Sequence, residues 1–409
     1  MLLKKTTKMT KKLLQINVTA NWGSTGKIAE QIGVLAQQHG WESYIAYGRH
    51  MNASENKLIK IGSTLDTYEH YLENRFFDNE GRASRRATMK FLKEVDKIKP
   101  DIVHLHNIHD HYLNYPLLFQ YLAEKNIPVV WTQHDLWAIT GRCCYIIPSC
   151  ERWRNKCHDC PMLNRFSVDR SLENHQLKKQ LFSKIPSLTI VPVSEWLGNT
   201  IRQSYLKEHP IKVIHNGIDI TMFSPRISGL YEQLCIDNQK KIILLGVACP
   251  WSNRKGLRDY LELSERLDNR FVIILVGLSE KQMADFPSNV IGLPKTQSQN
   301  ELAELYSMSD ILLSLSYGET FGMTMVEAYA CGTPCIVYDN TAQPEIVTPN
   351  TGRVAKTGDI DEVARLVYEM TESNFKDNHS ADCRVRAEQM YDKNKSFMKY
   401  IDLYESFIK

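Results

Sequence analysis

Two glutamates, Glu319 and Glu327, stand eight residues apart in the stretch Ser316-Tyr317-Gly318-Glu319-Thr320-Phe321-Gly322-Met323-Thr324, which continues to Gly332-Thr333-Pro334. The pattern changes there from loop to helix. Glu327 falls among Met325, Val326, Ala328 and Ala330, an apolar run on which an unpaired carboxylate is costly. A ligand rich in hydroxyls would satisfy both carboxylates, and the free N–H groups of a helix start, from Phe321 to Thr324, would face a phosphate. Upstream, Trp251-Ser252-Asn253-Arg254-Lys255-Gly256 sets two adjacent cations in a glycine-containing turn. That suits a diphosphate; taken alone, a solvated basic loop is the plainer reading.

A second chemistry-bearing group is made of rings. His104 and His106 alternate in Asp101-Ile102-Val103-His104-Leu105-His106, and His109, Asp110 and His111 follow. On a strand the first two share a face, and histidines at the end of an apolar strand look out of place in a core. Ligands bind at the carboxyl ends of parallel strands. The next apolar run ends in His134-Asp135, a further polar pair at the same expected edge. A metal here is the weaker reading, because the strand pair projects in parallel and the other rings fall in a loop. Gly23-Ser24-Thr25-Gly26, after the first apolar run, would let backbone N–H groups approach an anion or sugar hydroxyl. It matches neither the full dinucleotide fingerprint nor a P-loop, and a tight turn explains it as well.

The third group is sulfur. Cys143, Cys150, Cys157 and Cys160 end in a C-x2-C pair, which suits a closed tetrahedral structural zinc. Cys144 or His158 could replace one member, and free thiols or disulfides are the alternatives. The segment carries Pro148, Trp153 and Pro161 and little apolar periodicity, so a metal would supply order it otherwise lacks. Asp359-Ile360-Asp361 precedes Val363, Leu366 and Val367 and reads as a helix N-terminus, not a metal-holding acidic pair. No catalytic divalent metal is expected.

These groups need strands to carry them. Apolar runs at Leu13–Val18, Ser43–Tyr47, Asp101–His106, Val129–Gln133 and Leu188–Val193 alternate with amphipathic stretches, and the pattern restarts with Lys241–Val247, Phe271–Gly277, Ile311–Leu315 and Cys335–Tyr338. Such alternation predicts parallel, doubly wound sheets covered on both faces. Length supports two domains, residues 1–218 and residues 219–390. The aromatic helix at 391–409 is expected to pack back on the first.

The composition is that of a folded chain, 43 % hydrophobic and 24 % charged. A net charge of +3, from 50 basic and 47 acidic residues, argues against a nucleic-acid partner. No apolar run reaches the length of a membrane span. The basic Met1–Lys12 segment has no signal-like core, so a cytoplasmic location is expected. Lys4, Lys5, Lys8, Lys11 and Lys12 could touch the inner membrane surface, although a frayed, solvated tail is the plainer reading.

Taken in order, the motifs resemble those of retaining glycosyltransferases of family 4, which have the GT-B fold, over essentially the whole chain. The resemblance rests on Gly23–Gly26, His104–His106, Asn216-Gly217-Ile218-Asp219, Arg254-Lys255-Gly256 and Glu319–Pro334. His134-Asp135-Leu136-Trp137 and Thr140-Gly141-Arg142-Cys143 are most similar to bacterial members that build surface polysaccharides. It implies two Rossmann-like domains facing a cleft, a nucleoside-diphosphate sugar as donor, a glycan or lipid-linked acceptor, and hexosyl or related transfer with retention. Glu319 would bind donor-sugar hydroxyls and Glu327 the nucleotide ribose. Phe321, Gly322 and Met323 would line sugar and phosphate, with Gly23 and Gly26 also on the ligand. Arg254 and Lys255 would hold the diphosphate, and His106 would be the active-site histidine, with His134 and Asp135 toward the acceptor. One departure is Val247 after Gly246, where family members often carry arginine, so the diphosphate contact would fall more heavily on Arg254. A sugar-nucleotide epimerase of the same architecture would not need the paired glutamates. A non-catalytic sugar-nucleotide-binding module would leave the histidines and cations without a task.

Overall fold

Continuous apolar runs leave no face for water, and in the computed structural model they become strands flanked by helices. Residues 10–146, 150–163, 168–237, 241–283 and 286–408 are described. The first sheet contains β1 (Lys11–Asn17), β2 (Trp41–Tyr47), β3 (Lys57–Lys60), β4 (Ile102–Leu105), β5 (Val129–Gln133) and β6 (Leu188–Pro192), in the order β3-β2-β1-β4-β5-β6. The second contains β7 (Ile242–Val247), β8 (Phe271–Val276), β9 (Val290–Leu293), β10 (Ile311–Ser314), β11 (Cys335–Tyr338) and β12 (Gly352–Ala355), in the order β12-β11-β10-β7-β8-β9. Every pairing is parallel. In each sheet the strand order reverses beside the first strand of the set, the topological switch that leaves a crevice at the carboxyl ends.

The chain divides into two compact units. One runs to Ile214 and takes back Phe397 onward; the other is His215–Ser396. In the first, the helix Lys393–Ile408 contributes Phe397, Tyr400, Ile401 and Tyr404 to a core with Leu13, Ile32, Ile102 and Val130. Each such buried aromatic contributes on the order of 2 kcal/mol through lost water contact. In the second, Leu244, Ile273, Leu313 and Ile336 of the sheet pack with Val363 and Val367 of the helix Ile360–Glu372.

Three strands, β3, β9 and β12, do not stand out in the sequence. Each has four residues and lies at a sheet edge, where one neighbour and partial exposure relax the demand for an apolar run. Lys11 and Lys12 belong to β1, not to a frayed tail: Lys11 pairs with Glu405, and Lys12 Nζ donates to the Ile98 carbonyl at 3.0 Å. Lys4, Lys5 and Lys8 lie outside the described residues, as does Pro148. Asp359 caps the helix Ile360–Glu372, its side chain accepting the Glu362 N–H at 3.0 Å. Among the described residues no helix is long and apolar enough to cross a membrane.

Candidate active site

In the second unit, three loops at strand carboxyl ends carry the charged residues. The turn after β7 ends at Gly256, whose φ of +72° and backbone, so close to Leu315 that a Cβ would meet its carbonyl oxygen at 1.9 Å, exclude other residues. That contact locks the loop bearing Arg254 and Lys255 against the end of β10. Tyr317 N–H and Ser316 Oγ both donate to the Arg254 carbonyl, at 2.7 and 3.1 Å, and the Arg254 guanidinium donates to the Gly318 carbonyl. Lys255 Nζ forms an ion pair with Glu319 Oε1, both side chains about a fifth exposed. Glu319 N–H donates to Thr341 Oγ1 at 2.8 Å, and Gln343 and Asn340 amides hold the Ser316 carbonyl at 2.8 and 3.1 Å.

The helix Met323–Ala330 begins at Gly322, and no side chain caps its first N–H groups. Those amides and the helix dipole remain available to an anion. Phe321 offers only backbone to such a ligand, because its ring is buried against His215 and Tyr391 at centroid distances of 6.0 and 5.7 Å. Glu327 is half-buried, and its Oε2 accepts the Tyr306 hydroxyl at 2.9 Å.

In the first unit, β1, β4 and β5 align polar side chains across the sheet. His104 is a core residue, contrary to the expectation for a histidine on this strand. It is wholly buried because both ring nitrogens are satisfied, Nε2 with Thr132 Oγ1 at 2.7 Å and Nδ1 with the Tyr404 hydroxyl at 2.6 Å. His106, one step past the end of β4, is also buried; its Nε2 meets Gln15 Oε1 at 3.1 Å and its Nδ1 meets His134 Nε2 at 3.1 Å. Gln15 Nε2 donates to the Ala29 carbonyl at 2.8 Å, which turns its oxygen toward His106. His106 Nε2 is therefore the donor and Nδ1 the acceptor. Burial, then the neighbouring His104 and His134, hold the His106 ring well below the usual histidine range. Burial pushes His134 down to about 4.

His109 behaves in the opposite way. Burial opposes its charge, but Cys144 and Asp135 outweigh that and hold it well above the ordinary value. Its Nε2 donates to Asp135 Oδ2 at 2.8 Å, and Cys144 Sγ lies 4.0 Å from its Nδ1. Donor atoms of His109, Asp135 and Cys144 lie within 4.8 Å of one another. Gly23 opens the helix Gly23–Gln38, which no side chain caps. Gly26 sits so near the preceding turn that a Cβ would meet Thr19 Oγ1 at 2.6 Å, so its smallness serves close packing.

The four cysteines line one cavity in the segment after β5. Cys143 Sγ and Cys160 Sγ are 3.7 Å apart, and Cys157 Sγ accepts the Gly141 N–H at 3.2 Å. Lys178 is buried beneath this segment, its Nζ 3.4 Å from the centroid of the Trp137 ring and bonded to the Trp137 and Thr140 carbonyls at 2.8 and 3.1 Å. Burial pushes its ammonium down to about 8.

Gln15, Tyr306, Thr341 and Gln343 escape the sequence reading as parts of the site. Gln15 and Asn17 carried a usable signal, since amides inside an apolar strand need partners. The other three are ordinary residues until the fold places them.

Comparison with known proteins agrees with this geometry. The family described as Glycosyltransferase Family 4 matches residues 29–222, and that described as Glycosyl transferases group 1 matches 232–390. The chain is 22 % identical over 433 aligned positions to a protein of Escherichia coli K12 named as the colanic acid biosynthesis glycosyl transferase WcaC, covering 96 % of this chain and 99 % of that one. Among solved structures, sucrose-phosphate synthase of Thermosynechococcus elongatus superposes with a TM-score of 0.72 at 15 % identity, over 97 % of this chain and 99 % of the other. HepE of Anabaena in complex with UDP-glucose gives 0.66 at 15 % identity, over 97 % and 99 %. Two six-stranded parallel Rossmann-like sheets, the paired glutamates with their adjoining cations, and matches to both family descriptions make this chain a member of glycosyltransferase family 4 with the GT-B fold.

Proposed function

We propose that the enzyme moves a sugar from a nucleoside-diphosphate sugar to a glycan or lipid-linked acceptor, with retention of anomeric configuration, in the building of a bacterial surface polysaccharide. The observation that carries this reading is the Lys255–Glu319 pair beside Arg254 and an uncapped helix start. Donor binding gives each member a better partner: sugar hydroxyls turn to the carboxylate, and the diphosphate turns to the ammonium. Glu327 receives the ribose, and the amides of Gly322 and Met323 face the phosphates. Similarity to WcaC and to HepE, whose structure holds UDP-glucose, supports both the setting and the donor class.

In this mechanism the bond from the anomeric carbon to the diphosphate oxygen breaks as the acceptor oxygen bonds to the same face. The acceptor's proton leaves with the departing diphosphate oxygen. Arg254, Lys255 and the helix amides hold the charge that develops there, which leaves no task for a divalent cation. His106 serves the reacting sugar, and His134 and Asp135 the acceptor side, where positioning supplies much of the rate. A thermal-shift panel of UDP-, GDP- and ADP-sugars, followed by transfer of the stabilising sugar into a lipid extract, tests the reading. Transfer to a product with the donor's anomeric configuration is expected; epimerisation of the donor, or binding without transfer, contradicts it.

A further inference from the structure

We propose that Cys143, Cys150, Cys157 and Cys160 bind one structural zinc ion that organises the segment following β5. Four thiols share one cavity there. Thiolates 2.3 Å from a tetrahedral ion stand about 3.8 Å from one another, and Cys143 and Cys160 are already 3.7 Å apart. A disulfide would need the two sulfurs at about 2.0 Å. No three of the four sulfurs lie within 4.8 Å of one another among the described residues. The ion therefore completes the site by drawing Cys150 and Cys157 onto the existing pair.

One further observation favours a metal-held cluster over four neutral thiols: Cys157 Sγ accepts the Gly141 backbone N–H at 3.2 Å, a contact that strengthens when the sulfur is a thiolate.

The neighbouring His109–Asp135–Cys144 group is the poorer metal candidate. Its carboxylate is already bonded to His109 Nε2, leaving one ring nitrogen and one thiol. It marks what the zinc would do instead. Cys143 faces the thiol cluster while Cys144 faces His109, so an ion gripping Cys143 fixes the backbone that presents Cys144. Through the Leu136 N–H to Cys144 carbonyl bond at 3.0 Å it also steadies the turn after Asp135.

Elemental analysis of the full chain, purified without added metal, tests the proposal. About one zinc per chain is expected, falling to under about a tenth in Cys150→Ser and Cys157→Ser and unchanged in Cys235→Ser, an exposed thiol of the other unit. Thiol labelling of the unmodified chain is independent of how the variants fold: the four cysteines should resist labelling until a chelator strips the metal. A metal-free chain whose four thiols label freely, or a native mass showing a Cys143–Cys160 disulfide, overturns the proposal. Loss of zinc in Cys144→Ser with retention in Cys143→Ser overturns the ligand set.

Discussion

Beyond β4 and β5, imidazole rings are buried and bonded to one another; beyond β7 and β10, charges stand part-exposed on loops and are bonded across them. The sheets share a topology, yet their carboxyl ends solve different problems. Burial holds His104, His106 and His134 neutral, so these rings keep fixed tautomers in a network with Gln15 and Thr132. The second unit keeps its charges and lets them neutralise each other, Lys255 on Glu319, until a ligand offers more. A rigid edge with its charge confined to the His109–Asp135 pair suits the placing of a hydroxyl, whereas paired charges on loops suit the exchange of partners with a diphosphate sugar.

The largest effect that separates the two regions should come from acid. His70, pushed down to about 3 by burial, His134, at about 4, and the similarly suppressed His104 and His106 remain neutral in the fold. Their unfolded counterparts take protons near pH 6.5. The unfolded state then binds more protons, so stability falls as pH drops from about 6.5 toward 4. At pH 5 each fully suppressed ring costs about 2 kcal/mol. His109 has the opposite sign: its contribution is complete below pH 6.5 and is lost as pH rises through its raised value, which offsets part of the acid loss. Six of the seven tryptophans lie in the first unit, so denaturant unfolding followed by their fluorescence should show a lower midpoint at pH 5 than at pH 7. An unchanged midpoint would mean the rings are not held neutral.

Next in size, Glu319→Ala should cut transfer by about 10²–10³-fold, the scale of losing one preorganised electrostatic contact. Steady-state rates with the best donor check it, and a drop under threefold would detach Glu319 from the sugar. His106→Ala should lower turnover about 10²-fold, a typical loss for a group handling a proton or hydroxyl, with donor affinity nearly unchanged. An unaltered rate there, together with full loss in His134→Ala, would transfer the role to the more exposed ring. A smaller effect is expected for Glu327→Ala, about a tenfold loss of nucleoside diphosphate affinity by calorimetry. Tyr306→Phe, which removes only the hydroxyl that Glu327 accepts, should change affinity less. Full affinity in Glu327→Ala would refute the ribose contact.

The same contrast explains what could be read in advance. The second-unit residues were legible because charges beside glycines in a loop, and a glutamate in an apolar helix, break the local pattern. The long apolar strands were equally plain. The histidines were visible as a cluster, but His104 and His106 could not be separated: only the side-chain hydrogen bonds that the fold creates, Thr132 to one ring and Gln15 to the other, distinguish them. The edge strands β3, β9 and β12 were lost because partial exposure dilutes the apolar signal. Thr341 and Gln343 become visible only when β11 delivers their loop to Glu319 and Ser316.

The most direct test measures donor affinity and turnover side by side, using the best donor of the nucleotide-sugar panel, for Lys255→Ala and His106→Ala. If the second unit binds the donor and the first serves the transfer step, Lys255→Ala should lose about tenfold or more in donor affinity, while His106→Ala keeps its affinity and loses turnover. Donor affinity lost in His106→Ala and retained in Lys255→Ala would contradict that division.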